Sequence, residues 1–165
     1  MDDLANRMRV SKRTLYQHIA SKEELVGEII DAVFADMRKN HQAIANDPEM
    51  DIIKRIKNVI CVMPENFPNI NYKKVYEIKR YYPELYKKIE YHLALEWETT
   101  HQLFQEGIRN HCIRDVNVNL IRQLILGTFR SLLDDEFLLM NDMTYEEALD
   151  QSMDMILKGL ELTRE

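Results

Sequence analysis

From Ser21 to Asn46 the chain runs for about 25 residues without a helix-ending signal, and Leu25, Ile29, Val33, Met37 and Ile44 recur along it at helical spacing. At 1.5 Å per residue this is a rod of about 37 Å, long enough to join two separate regions. The rest is as sparsely punctuated: 165 residues contain 4 Gly and 4 Pro. A sandwich or barrel needs frequent turn signals, and these are missing. The fold class expected is all-α.

Cap residues divide the chain. Ser21-Lys22-Glu23-Glu24 reads as a capping box opening the rod, and Thr144-Tyr145-Glu146-Glu147 as another opening a final helix that ends near Leu162. Asp47-Pro48 places a cap and a first-turn proline at the head of a helix to Met63, which Pro64 and Pro68 break. Further helices are predicted over Tyr72 to Tyr82, from Pro83 to about Asn110, and over Leu120 to Leu139, with a turn at Asp115 to Asn119. Two units follow: residues 1–46, a head with its connecting helix, and residues 47–165, a helical bundle.

Charge separates the same regions. Residues 1–22 carry five basic and two acidic side chains, net +3, whereas the remainder carries 17 basic and 26 acidic, net −9. A basic head on an acidic body points to a polyanion partner for the head alone. The longest apolar run, Val59 to Met63, is far short of the roughly 18 residues that cross a bilayer. Asp2 and Asp3 open the chain and no secretory h-region follows, so no membrane partner and a cytoplasmic location are expected. Cys61 and Cys112 have no ligand-like spacing and read as small core residues.

The head fits two short helices sharing a small apolar core of Leu4, Ala5, Met8, Val10, Leu15 and Ile19. Ser11 is placed to cap the second helix, whose outer surface then carries Lys12, Arg13, Thr14, Gln17 and His18, side-chain types that bind phosphates and read grooves. The run Val10-Ser11-Lys12-Arg13-Thr14-Leu15-Tyr16-Gln17-His18-Ile19, followed by Ser21-Lys22-Glu23-Glu24-Leu25, resembles the DNA-binding signature of the tetracycline-repressor (TetR) family. The resemblance implies phosphate contacts from Thr14, Tyr16, Lys22 and His18, and base or phosphate contacts from Lys12, Arg13 and Gln17. Tyr16 also has an alternative reading as a core aromatic. Members of the family carry an N-terminal arm and a first helix ahead of the position of Met1, so a head without that cover is expected. Arg9 stands where the turn commonly has glycine, and a left-handed conformation there costs an ordinary residue roughly 1 kcal/mol.

The resemblance further implies a double-stranded DNA operator as partner and a ligand-responsive repressor acting as a homodimer. The last two long helices support that assembly, with more apolar surface than one core needs. Leu149, Ser152, Met153, Ile156 and Leu160 form one stripe of the final helix, and Ala148, Met155, Gly159 and Leu162 another. The preceding helix offers Leu124, Ile125, Phe129, Leu132 and Leu133, with Gly127 permitting close approach. For a small-molecule effector, apolar, aromatic or cationic, the candidate pocket residues are Met63, Phe67, Tyr76, Trp97, His101 and Phe104.

Enzyme chemistry finds little support. Glu98-Thr99-Thr100-His101 is a single E-x-x-H, whereas a di-iron bundle needs two with two further glutamates. His92 and Glu96, four apart, read as a solvated pair. No phosphate-cradling glycine loop or nucleophile elbow is present, so no catalytic residue, metal or cofactor is expected. The competing class is a helical small-molecule-binding or partner-binding dimer that has lost DNA recognition. A metal-dependent helical enzyme is a weaker third.

Overall fold

A computed structural model describes residues 1–64, 74–132 and 135–162, with the side chains of all of these except 74–76 and 135–136. The described residues form an all-helical chain: α1 (Asp2–Met8), α2 (Lys12–His18), α3 (Lys22–Ala45), α4 (Ile52–Cys61), α5 (Lys74–Tyr81), α6 (Pro83–Arg109), α7 (Val118–Leu132), α8 (Asp135–Met140) and α9 (Tyr145–Leu160).

Side-chain caps start these helices where the sequence supplies them. Ser11 Oγ accepts the Thr14 amide at 3.0 Å and starts α2. Ser21 Oγ accepts the Glu24 amide at 3.0 Å and starts α3. The capping box expected at Ser21 is modified, because the Glu24 carboxylate reaches one residue further back and accepts the Ala20 amide. At Thr144 the box is complete, with both reciprocal bonds formed. The α4 boundary moves: Asp47 Oδ1 accepts the Glu49 amide in a tight turn that holds Pro48 outside the helix. Asp51 caps Lys54 instead, and α4 begins where the Ile52, Ile56, Val59 stripe enters the core.

The helix expected over 120–139 is described in two segments, α7 and α8, and residues 133 and 134 between them lie outside the described residues.

Three helix ends use left-handed non-glycine residues. Arg9 has φ 55°, and the Val10 and Arg9 amides return to the Ala5 and Asn6 carbonyls, the paired bonds of a Schellman motif. His111 after α6 and Asp142 after α8 close their helices in the same way. Beyond α9, the Leu162 amide donates to the Cys112 carbonyl and the Arg114 amide to the Leu160 carbonyl, tying the end of α9 to the end of α6.

The main core lies among α4, α6, α7 and α9, where Ile56, Val59, Phe104, Ile113, Leu149, Met153 and Leu157 are almost fully buried. Cys61 and Cys112 are half-buried against it as free thiols, and burial pushes the Cys61 thiol up to about 11. Gly107 makes room for this packing: a Cβ there would stand 2.6 Å from Ile113 Cδ1. A second cluster, Ile30, Phe34, Leu85 and Ile89, joins the N-terminal part of α6 to α3. The connecting helix is thus held along the bundle, and its first turns carry the head.

Candidate nucleic-acid interface and effector cavity

In the head, Ala5 and Leu15 are each 4% exposed and anchor α1 and α2 to one another. With Leu15 turned inward, Lys12, Arg13, Gln17 and His18 are exposed and Thr14 is half-buried. Tyr16 is 44% exposed, so the core alternative for its ring does not hold. Lys22 is exposed in the first turn of α3, beside amides whose partial positive charge already favours an anion. Thr14 Oγ1 lies 2.8 Å from Ser11 Oγ, which fixes the hydroxyl at the start of α2. One contact was not legible beforehand: Lys12 Nζ pairs with Asp2 Oδ1 at 3.0 Å. The hydrogen bond and the charge of each partner raise the Lys12 ammonium and lower the Asp2 carboxyl.

In the bundle, a polar network crosses between α3 and α6. Glu96 is 7% exposed. Its Oε1 accepts Arg38 Nε at 2.9 Å and its Oε2 lies 2.7 Å from His41 Nδ1. Arg38 Nη2 lies 3.3 Å from His92 Nδ1, and His92 Nε2 lies 3.0 Å from Asp31 Oδ1. A guanidinium only donates and a carboxylate only accepts, so His92 accepts at Nδ1 and donates from Nε2. Lys88 completes the chain on Asp31, and its hydrogen bond, followed by that of His92, lowers the Asp31 carboxyl. The solvated His92–Glu96 pair expected from their spacing is therefore corrected: each turns to α3, and Glu96 is withdrawn from water. A stripe of Lys88, His92 and Glu96 on α6 at four-residue steps was the available signal. The partners on α3 lie 54 to 61 residues away, beyond any local pattern.

Beside this network lies a cavity of about 350 Å³ among α3, α4, α6 and α7, walled by Phe34, Met37, Val59, Leu93, Trp97, Leu126 and Phe129, with His41, Tyr86, Glu90, Glu96, Thr100, Arg122 and Arg130 as polar members. Of the sequence-predicted pocket residues, Trp97 is in its wall, with the Arg122 guanidinium 5.3 Å above the indole. Phe104 is fully buried in the core, its ring 6.4 Å from Trp97. His101 faces a different space, an open polar cleft of about 930 Å³ that also takes in Gln42, Arg55 and Glu106. Met63 is half-buried against the core. Phe67 and the side chain of Tyr76 lie outside the described residues. His41, Arg122 and the α3 wall were not anticipated.

Among the described residues no group of three or more His, Cys, Asp or Glu is placed to hold a metal ion. Glu98 and His101 instead meet Gln102 and Gln105, each one turn along α6. No described helix is long and apolar enough to cross a membrane.

No protein-family model matches the chain. It is 25% identical over 160 residues, 97% of its own length and 84% of the relative's, to the uncharacterized HTH-type transcriptional regulator YvaF of Bacillus subtilis (strain 168). Its structure is similar to the crystal structure of PfmR, a TetR family transcriptional regulator of Thermus thermophilus. The TM-score is 0.68 at 22% identity, covering 97% of this chain and 88% of the other. A capped two-helix head, a long connecting helix and a helical bundle, matched over nearly the whole of both chains, give this protein the TetR-family fold.

Proposed function

We propose that the protein is a DNA-binding transcriptional regulator of the TetR type, a homodimeric, ligand-responsive repressor working in the cytoplasm. The observation that carries this is the outer face of α2: Leu15 is locked inward, while Lys12, Arg13, Tyr16, Gln17 and His18 project together from a helix short enough to lie in a major groove. In this reading Thr14, Tyr16, His18 and Lys22 hold phosphates, and Lys12, Arg13 and Gln17 face bases or adjacent phosphates. Residues 1–46 act as the DNA-binding unit with its connecting helix, and residues 47–165 as the sensing and dimerising unit.

Support for the dimer comes from apolar side chains left in water on α7 and α9, namely Leu120, Leu124 and Met155, with Leu162 just beyond. Gly127 and Gly159 are exposed on the same two helices with open space around them, as close approach of a second copy requires. Two copies joined there would set their α2 helices for successive major grooves, about 34–36 Å apart. The cavity walled by Trp97 is the effector site of this reading. An effector that favours one tilt of α3 shifts the population of head spacings, and only its differential affinity for the two forms drives the change.

Mobility shifts with DNA flanking the protein's own gene, at a series of salt concentrations, test the proposal. Sequence-selective binding that weakens steeply with salt is expected, with the salt slope reduced by about one when Lys22 is replaced by Ala. A second reading, a helical binding dimer without DNA recognition, draws on the Lys12–Asp2 pair, which takes one cation of the head out of play. Absence of binding to any duplex favours it.

A further inference from the structure

His41 sits on the connecting helix with its side chain 6% exposed, and it lines the cavity. Its Nδ1 is 2.7 Å from a carboxylate oxygen of Glu96, which can only accept, so Nδ1 carries the hydrogen. In the neutral ring, Nε2 is then an acceptor, and among the described residues nothing donates to it. A buried acceptor without a donor is unfavourable, and it rewards any occupant that supplies one.

The surroundings narrow the occupant further. Phe34, Met37, Trp97 and Phe129 offer apolar and aromatic contact, and about 350 Å³ suits a single ring with a short chain. The one buried carboxylate, Glu96, already has the Arg38 guanidinium on its other oxygen. Beyond that pair the lining carries Arg122, Arg130 and the exposed Glu90, a balance of one positive charge that disfavours a cation.

We propose that the cavity takes an uncharged, small aromatic molecule carrying one hydroxyl or N–H donor, which it gives to Nε2 of His41. The inference rests on the reading of this cavity as the effector site. The hydrogen bond would be made to α3 itself, the helix that carries the head, and a donor at Nε2 strengthens the Nδ1–H bond to Glu96 on α6. One ligand group thereby tightens the link between the connecting helix and the bundle.

The single tryptophan of the chain, Trp97, is in the cavity wall and reports binding by its own emission. The full chain at about pH 8 is titrated with p-ethylphenol, with ethylbenzene and with phenethylammonium. The phenol is expected to bind about tenfold tighter than ethylbenzene, the size of effect one buried hydrogen bond supplies, and the ammonium weakest of the three. In His41→Asn, whose amide N–H can still serve Glu96, the phenol's advantage falls to within about twofold. Equal binding of phenol and ethylbenzene by the unaltered protein overturns the role of His41 and leaves the cavity as an effector site. Tightest binding of the ammonium overturns the charge argument. No change in Trp97 emission with any of the three overturns the effector cavity as well. The comparison within the unaltered protein stands whether or not the variant folds.

Discussion

His111 closes α6 at φ 53°, a conformation that crowds any side chain with a Cβ, and it is exposed. His111→Gly is therefore expected to stabilise the protein by about 1 kcal/mol, a rise in melting temperature of about 2–4 °C for a chain of this size, measured by thermal unfolding. Asp31 gives a prediction of pH dependence. Its carboxyl is lowered from the ordinary 3.8 by Lys88 and His92, so the stability it confers is present above that value and is lost as pH falls through the lowered one. Asp31→Asn is expected to flatten the acid limb of a stability profile below about pH 4, by less than about 1 kcal/mol because the carboxylate is half in water. Urea midpoints taken across the acid range check this. At this scale the sequence was legible where a residue acts on its neighbours: Ser11, Ser21 and Thr144 cap as their spacing indicated, and Arg9 adopts the left-handed turn. It was not legible where a residue's partner is remote, as with Glu96 and its two bonds to α3.

Helices were legible in order more than in their limits. Pro48 looks like a first-turn residue from its dipeptide, but α4 begins at Ile52 because burial of Ile52, Ile56 and Val59 sets where the helix is useful. The stripes on α9 separate by packing: Leu149 and Met153 are buried within this chain, whereas Met155 and Gly159 face water, and Ala148 joins the core. Leu124 on α7 is 54% exposed in the same manner. Leu124→Glu is expected to convert a dimer to a monomer in sedimentation while leaving the helical circular dichroism intact, and to abolish operator binding with it. A monomeric parent protein would contradict the proposed assembly.

Across the whole molecule, α6 is the axis, packing against α3, α4, α5 and α7. Its 27 residues meet so many neighbours that spacing alone does not say which side chain faces a cavity and which faces a core. Trp97, His101 and Phe104 follow one another along a single stripe, yet one walls the cavity, one enters the polar cleft and one is core. Phe104→Ala is expected to cost about 3–5 kcal/mol in urea unfolding, because its ring has no exposed surface.

The head stands apart from this economy. Its α1 and α2 pack mainly on each other, and of residues 1–22 only Ala5 and Leu15 are buried. So little buried surface sets against the entropy of some twenty residues that the head opens at a far smaller free energy than the bundle. Amide deuterium uptake should accordingly be fast over 2–18 and slow over 96–104, and a bound operator should retard the first alone. Part of the energy of recognition would then go into ordering the reader itself, which makes warmth an antagonist of operator occupancy well before the bundle begins to melt.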